Sequence, residues 1–346
     1  MTARILPHER IDEFVTRLMQ SAEVVAPRRV EVADVFYGPI SSPGEVAWDY
    51  GTAIEPLKRF LLPQRETMLR FSTNGGIKVE AECDERERVF LGVRCCDVTG
   101  VGVMDAMYGG DTPDPYYMSR RERSTIIALT CLQAPDETCF CVCCDAGPFL
   151  TKGYDQQWTS LPEGMLVEIG SERGEALARA NEDLLAPAEL DQIATRYRLA
   201  REAEETFGDF KSYIAGAMRK LSMNEVDPEV WEQAAMRCTE CGGCTYLCPT
   251  CVCFTVTDRM NGSQGVRERH WDACLNNCYA REASGHNPRP ERGDRLRARF
   301  FHKISHQWAE RNGRQACVGC GRCVAGCMAW AHMPAVTEGI RRGVMT

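Results

Sequence analysis

Cys238-Thr-Glu-Cys-Gly-Gly-Cys-Thr-Tyr-Leu-Cys248, with Pro249 behind it, decides the reading of this chain, because Cys317-Val-Gly-Cys-Gly-Arg-Cys-Val-Ala-Gly-Cys327 repeats its spacing. In this pattern three cysteines of a run hold corners of one [4Fe–4S] cube and the fourth reaches across to the other cube. The repeat predicts a first cluster on Cys238, Cys241, Cys244 and Cys327, and a second on Cys317, Cys320, Cys323 and Cys248. Gly242, Gly243, Gly319 and Gly321 suit a turn that hugs a cube, which needs positive φ and close backbone approach. Backbone N–H groups on such turns bond the sulfurs and tune the potential. Electron transfer is the chemistry this pattern serves.

Competing uses of cysteine fit less well. A zinc ribbon takes four ligands and leaves the third Cys-x₂ step of each run unexplained. Twenty cysteines in 346 residues is a high content, yet disulfide scaffolds are short secreted chains. The chain opens Met1-Thr-Ala-Arg-Ile-Leu-Pro without an apolar signal core, and no stretch approaches the length of an apolar membrane span. Thiols and clusters in such a chain point to a reducing cytoplasm. No Cys-x-x-Cys-His supports a c-type haem.

The formal net charge is −8, but residues 251–316 hold 12 Lys/Arg against 7 Asp/Glu. Their densest part is Arg289-Pro-Glu-Arg-Gly-Asp-Arg-Leu-Arg-Ala-Arg299. A solvated face, or cations that offset cluster charge, explains this run better than nucleic-acid binding.

The expected fold class is α+β. An N-terminal mixed α/β domain over residues 1–222 precedes a mainly helical and loop two-cluster domain over residues 223–346, with a long insert between the runs. Ile11, Phe14, Val15, Leu18 and Met19 recur at helical spacing. Val30-Glu-Val-Ala-Asp-Val-Phe36 alternates like a strand, and Val79-Glu-Ala, Val89-Phe-Leu-Gly-Val93, Ile126-Ile-Ala-Leu129 and Leu166-Val-Glu-Ile169 also read as strands. Residues 187–207 and 209–222 read as helices, and Asp227-Pro228 starts the helix that delivers Cys238.

Motifs outside the runs carry a family resemblance. They include Leu62-Pro-Gln-Arg-Glu-Thr-Met-Leu-Arg-Phe71, Gly92-Val-Arg-Cys-Cys-Asp97, Asp114-Pro-Tyr-Tyr-Met-Ser-Arg-Arg121 and Thr138-Cys-Phe-Cys141. Cys248-Pro-Thr-Cys-Val-Cys253, Arg269-His-Trp-Asp-Ala-Cys274, Asn287-Pro-Arg289 and His302-Lys303 continue the series. The chain resembles the iron–sulfur (beta) subunit of cytoplasmic sulfhydrogenase-type nickel–iron hydrogenases, and equally the 4Fe-4S dicluster subunit of anaerobic sulfite reductase. The resemblance implies a dicluster subunit that relays electrons between a flavin-containing subunit, linked to NAD(P) or ferredoxin, and a catalytic subunit of a hetero-oligomeric complex. The sequence departs from the family where Cys95 replaces a proline, where Met328 replaces the proline after the second run, and in Cys143, Cys144 and Cys278.

Cys96, Cys131, Cys139 and Cys141 fall at strand ends or turns and form a candidate third centre. An irregular cube, a zinc site and plain burial all stay open for them, and Cys95, Cys143 or Cys144 could replace a member. Cys251, Cys253, Cys274 and Cys278 form a weaker fourth set. His270, His286, His302 and His306 read as surface or hydrogen-bonding groups rather than ligands, and Trp271 and Trp308 as core or interface anchors. Gly100-Val-Gly102 lacks the third glycine of a dinucleotide fingerprint. Two other readings compete with a non-catalytic electron carrier: a reductase acting on sulfite or polysulfide, and a redox-sensing iron–sulfur protein.

Overall fold

The computed structural model describes residues 3–31, 34–207 and 213–345. Twelve strands are found among them: β1 (Ala3–Pro7), β2 (Glu23–Arg29), β3 (Val35–Pro39), β4 (Arg65–Ser72), β5 (Lys78–Ala81), β6 (Arg88–Arg94), β7 (Ser124–Leu129), β8 (Gln156–Leu161), β9 (Gly164–Ile169), β10 (Ala186–Pro187), β11 (Phe254–Asn261) and β12 (Gln264–Trp271). Eight form one mixed sheet in the order β10-β1-β9-β8-β7-β6-β2-β3. Its centre is parallel, with β2 on β6, β6 on β7 and β7 on β8. Parallel strands are covered on both faces and read as continuous apolar runs; β6 is buried at all seven positions.

The amphipathic segment from Ile11 to Ser21 is a helix, and it packs Phe14, Val15 and Leu18 into the sheet core. The alternating stretch from Val30 to Phe36 is not one strand: β2 ends at Arg29, β3 begins at Val35 and the two pair antiparallel, with residues 32–33 outside the described residues. The helix expected over residues 187–207 spans Leu190–Glu205. That expected over 209–222 begins at Ile214, with residues 208–212 outside the described part.

The insert supplies a hairpin that sequence reading missed. β11 and β12 pair with each other, and β12 pairs with β4, giving a second sheet β11-β12-β4-β5 that joins strands from both ends of the chain. Period-2 alternation is masked there because β11 is exposed at all but its first position and β12 carries the charged run Arg267-Glu-Arg269. A buried ion pair within the sheet joins Arg269 to Glu66 at 2.6 Å, and Glu66 also takes Arg120, on the helix Pro115–Glu122, at 2.6 Å. Asp227 caps the helix Pro228–Arg237 by accepting from the Glu229 N–H at 2.9 Å. That helix packs with Ile214–Ser222, Arg292–Ile304 and Met333–Arg342 around Trp231, Leu296, Phe300 and Ile340.

Candidate metal centres

The two cysteine runs fold into the same turn. Residues two and four after the first cysteine are left-handed in both: Glu240 (φ 56°) and Gly242 (φ 72°), Gly319 (φ 61°) and Gly321 (φ 80°). The hydrogen bonds repeat in register. Thr245 N–H donates to Gly242 O at 2.8 Å as Val324 N–H does to Gly321 O at 2.7 Å, and Cys248 N–H and Cys327 N–H each donate three residues back at 3.3 Å. Gly243 is different from expectation: it opens a short helix, and Glu240 takes the left-handed place.

Side-chain neighbours cross between the runs. Burial raises the Cys238 thiol pKa, and Cys244 and Cys327 are thiols that raise it further. Burial likewise pushes Cys323 up to about 12, with Cys317 and Cys248 adding to it. Cys248 acts on Cys317 and Cys320 in the same way. Cys327 therefore neighbours Cys238, and Cys248 neighbours Cys317, Cys320 and Cys323, contacts of the kind that crossed ligation requires.

Arg299 tests whether cubes fit here. It is 2% exposed, and its Nε and Nη1 have no hydrogen-bond partner. Burial opposes its charge, but the thiols of Cys244, Cys323, Cys251 and Cys248 outweigh that and raise its pKa. Two buried lysines share this environment. Lys303 Nζ donates to Thr250 Oγ1 at 2.8 Å, and Lys58 Nζ to the Cys251 carbonyl at 3.0 Å. Buried cations with unspent donors are costly alone. Cubes with thiolate ligands supply both negative charge and sulfur acceptors, so the residues fit the cofactor.

The N-terminal cysteines sit where an open α/β sheet offers a site, beyond the carboxyl ends of its parallel strands. Cys96 follows β6 and Cys131 follows β7, while Cys139 and Cys141 lie on the next loop. All four are at most 8% exposed. Burial raises the Cys141 thiol pKa well above its ordinary value, and Cys131 and Cys139 add to it. Burial does the same to Cys96, where Cys320 and Cys141 contribute. The structure brings these four together against the second run. Gly319 O accepts from Phe140 N–H at 2.9 Å, and a Cβ on Gly319 would fall 2.4 Å from the Phe140 carbonyl. Arg322, inside the second run, clamps Asp97 next to Cys96 with two bonds of 2.7 Å, and Tyr37 donates to the same carboxylate at 3.0 Å.

Comparison with known proteins follows this geometry. Residues 237–331 match the family described as 4Fe-4S dicluster domain, and residues 205–252 match a second family of the same description. Sulfhydrogenase 2 subunit beta of Pyrococcus furiosus is 31% identical, over 98% of each chain. The chain belongs to the sulfhydrogenase beta-subunit family. It is an iron–sulfur electron-transfer subunit with two [4Fe–4S] clusters.

Within this beta-type subunit the other sequence candidates separate. Cys144 lies 4.0 Å from Cys317 of the second run and also neighbours Cys141. The Cys95 thiol donates to the Pro148 carbonyl at 2.9 Å and neighbours Cys131 and Cys141. Cys251, Cys253 and Cys274 line one cavity, whereas Cys278 is exposed and outside it. His270 bonds Thr257 at 3.1 Å and His302 packs on Trp308. Trp271 donates to the Leu62 carbonyl at 2.8 Å beneath the Lys58 ammonium. The basic run is only partly a solvated face: Arg295, Arg299 and Lys303, four residues apart on one helix, are buried beside apolar neighbours. That spacing was the available signal for Arg299 and Lys303. No local signal marked Arg322 as the partner of Asp97, because the pair is 225 residues apart.

Proposed function

We propose that this subunit conducts electrons along three sulfur-ligated centres in a line: Cys238, Cys241, Cys244 and Cys327; then Cys317, Cys320, Cys323 and Cys248; then Cys96, Cys131, Cys139 and Cys141. The observation that carries the proposal is the seat of the second run on the Thr138–Cys141 loop. There Cys139 Sγ lies 4.0 Å from the Cys320 carbonyl and Cys320 is a neighbour of Cys96. Such contact leaves little insulating protein between the second cluster and the N-terminal set. The chain works between a flavin-containing subunit, linked to NAD(P) or ferredoxin, and a catalytic subunit in a reducing compartment. Among the described residues no helix is long and apolar enough to cross a membrane.

The test is iron and acid-labile sulfide analysis of the anaerobically purified full chain, with reductive titration followed by EPR. The three-centre line requires at least about 12 irons per chain, at four per cube. Replacing Cys139 and Cys141 together by alanine removes one cluster's iron and interrupts transfer to the catalytic subunit while the two-run signals persist. Full iron and unimpaired transfer in that variant would remove the N-terminal set from the line.

A further inference from the structure

Three thiols outside the two runs and outside the N-terminal set, Cys251, Cys253 and Cys274, line one partly open cavity of about 140 Å³. The base of the β11–β12 hairpin brings them together. Phe254 pairs with Trp271, and Asp272 N–H donates to the Cys253 carbonyl at 2.9 Å, so Cys253 meets the turn that carries Cys274. Asp272 then fixes that turn by accepting from Ala273 N–H at 2.7 Å and from the Asn276 side chain at 2.8 Å. Cys251 enters from the first run, its N–H donating to the Cys248 carbonyl at 3.3 Å. Both Cys251 and Cys274 are 7% exposed.

The rest of the wall is cationic and rich in donors. Arg299 and Lys303 line it, no Asp or Glu does, and Trp308 contributes a buried indole N–H without a partner. A cysteine that serves only as a small apolar side chain fills space. These three instead border a void facing buried cations and unspent N–H groups, which is unfavourable without an anionic, acceptor-rich occupant. Among the described residues no three Cys, His, Asp or Glu side chains are gathered tightly enough for a single metal ion, and this is equally true of the two runs of a chain that carries cubes.

We propose that Cys251, Cys253 and Cys274 ligate a further iron–sulfur cluster in this cavity, beside the centre that takes Cys248. His302 and Tyr279 on the same wall would offer nitrogen and oxygen to its remaining corner. The Trp308 indole N–H would donate to its sulfides, and Lys303 would offset its charge. The inference rests on the cluster reading of the neighbouring runs but not on the N-terminal set.

Iron, sulfide and Mössbauer analysis of the anaerobically purified full chain tests it. The Cys274→Ala variant loses one cluster's worth of iron and sulfide while the two-run EPR signals remain, and Cys278→Ala loses none. Cys274→Ala with undiminished iron overturns the proposal. Should that variant not fold, the Cys139→Ala/Cys141→Ala variant decides without touching the hairpin. About 12 irons per chain there supports the added centre, and about 8 overturns it. Fewer than about 8 irons would instead break the two-run reading on which it rests.

Discussion

The two cysteine runs have one backbone and opposite surroundings. In the first, the left-handed residue between ligands is Glu240, whose carboxylate reaches Arg295 at 2.8 Å and Arg292 at 3.1 Å. Cys241 beside it is exposed, and Met236 nearby is 78% exposed. In the second, the equivalent residue is Gly319, and the Phe140 backbone leaves no room for a Cβ. Cys317 and Cys320 are buried there. The same left-handed turn is thus filled by a charged side chain where it meets solvent and by glycine where it meets protein. In the proposed electron line this difference gives the first cluster the end nearest the surface, suited to exchange with a partner, and the second an internal place, suited to relay to the N-terminal set.

Substitutions can break that contrast, and the largest effect belongs to the interior side. Arg322 and Asp97 are 4% and 1% exposed, and Arg322 also donates to the Ala53 carbonyl at 2.8 Å. Removing one member of a buried pair strands the other charge at a cost of about 3–5 kcal/mol. Arg322→Met lowers the thermal midpoint by many degrees and depletes the iron of the second cluster and the N-terminal set before that of the first. A variant with wild-type melting, or one that loses the first cluster foremost, would show that the Asp97 clamp does not hold the interior turn in place.

Next in size is a shift of potential without loss of fold. Burial works against the Lys303 ammonium, yet Cys248 and Cys251 outweigh it and keep the pKa above its ordinary value. A fixed cation stabilises the more negative, reduced cluster, so its removal makes reduction harder. Lys303→Met moves the potential of the second cluster downward by on the order of 60–120 mV, one to two decades at about 59 mV per decade for one electron. The first cluster moves less, since its thiols are not among the main contributors to the Lys303 shift. EPR-monitored titration of both signals checks this; equal shifts, or an upward one, contradict the local charge argument.

How much of this was legible in the sequence depends on the range of the physical signal. The runs announce themselves because ligand spacing is local, and the pairing of Cys248 with the second run follows from the known crossing. Helix Pro228–Arg237 was legible from Asp227-Pro228, a local cap. The N-terminal four were legible only as residues at strand ends; their meeting depends on β6 and β7 being adjacent and parallel. Cys278 was grouped with Cys274 because it is near in sequence, but the turn points it outward. The Arg299 and Lys303 positions fitted either a solvated face or cations offsetting cluster charge, because sequence gives charge and period but not what a helix is packed against. Only the neighbouring thiols make that face an interior one.

The smallest effect lies on the exposed side and makes the contrast quantitative. A left-handed non-glycine residue costs about 1–2 kcal/mol, and Glu240 bears that cost while gaining ion pairs that, where partly exposed, contribute about 0–1 kcal/mol. Glu240→Gly relieves the backbone and loses the pairs, so stability changes by no more than about 2 kcal/mol. The first cluster keeps its iron, because no ligand moves and no buried charge is stranded except at Arg295, which still donates to the Arg289 carbonyl at 2.9 Å. Chemical denaturation with an iron assay measures both quantities. A loss of several kcal/mol, comparable to that of Arg322→Met, would mean that the first turn is as tightly built in as the second and that its exposure does not mark the end of the line.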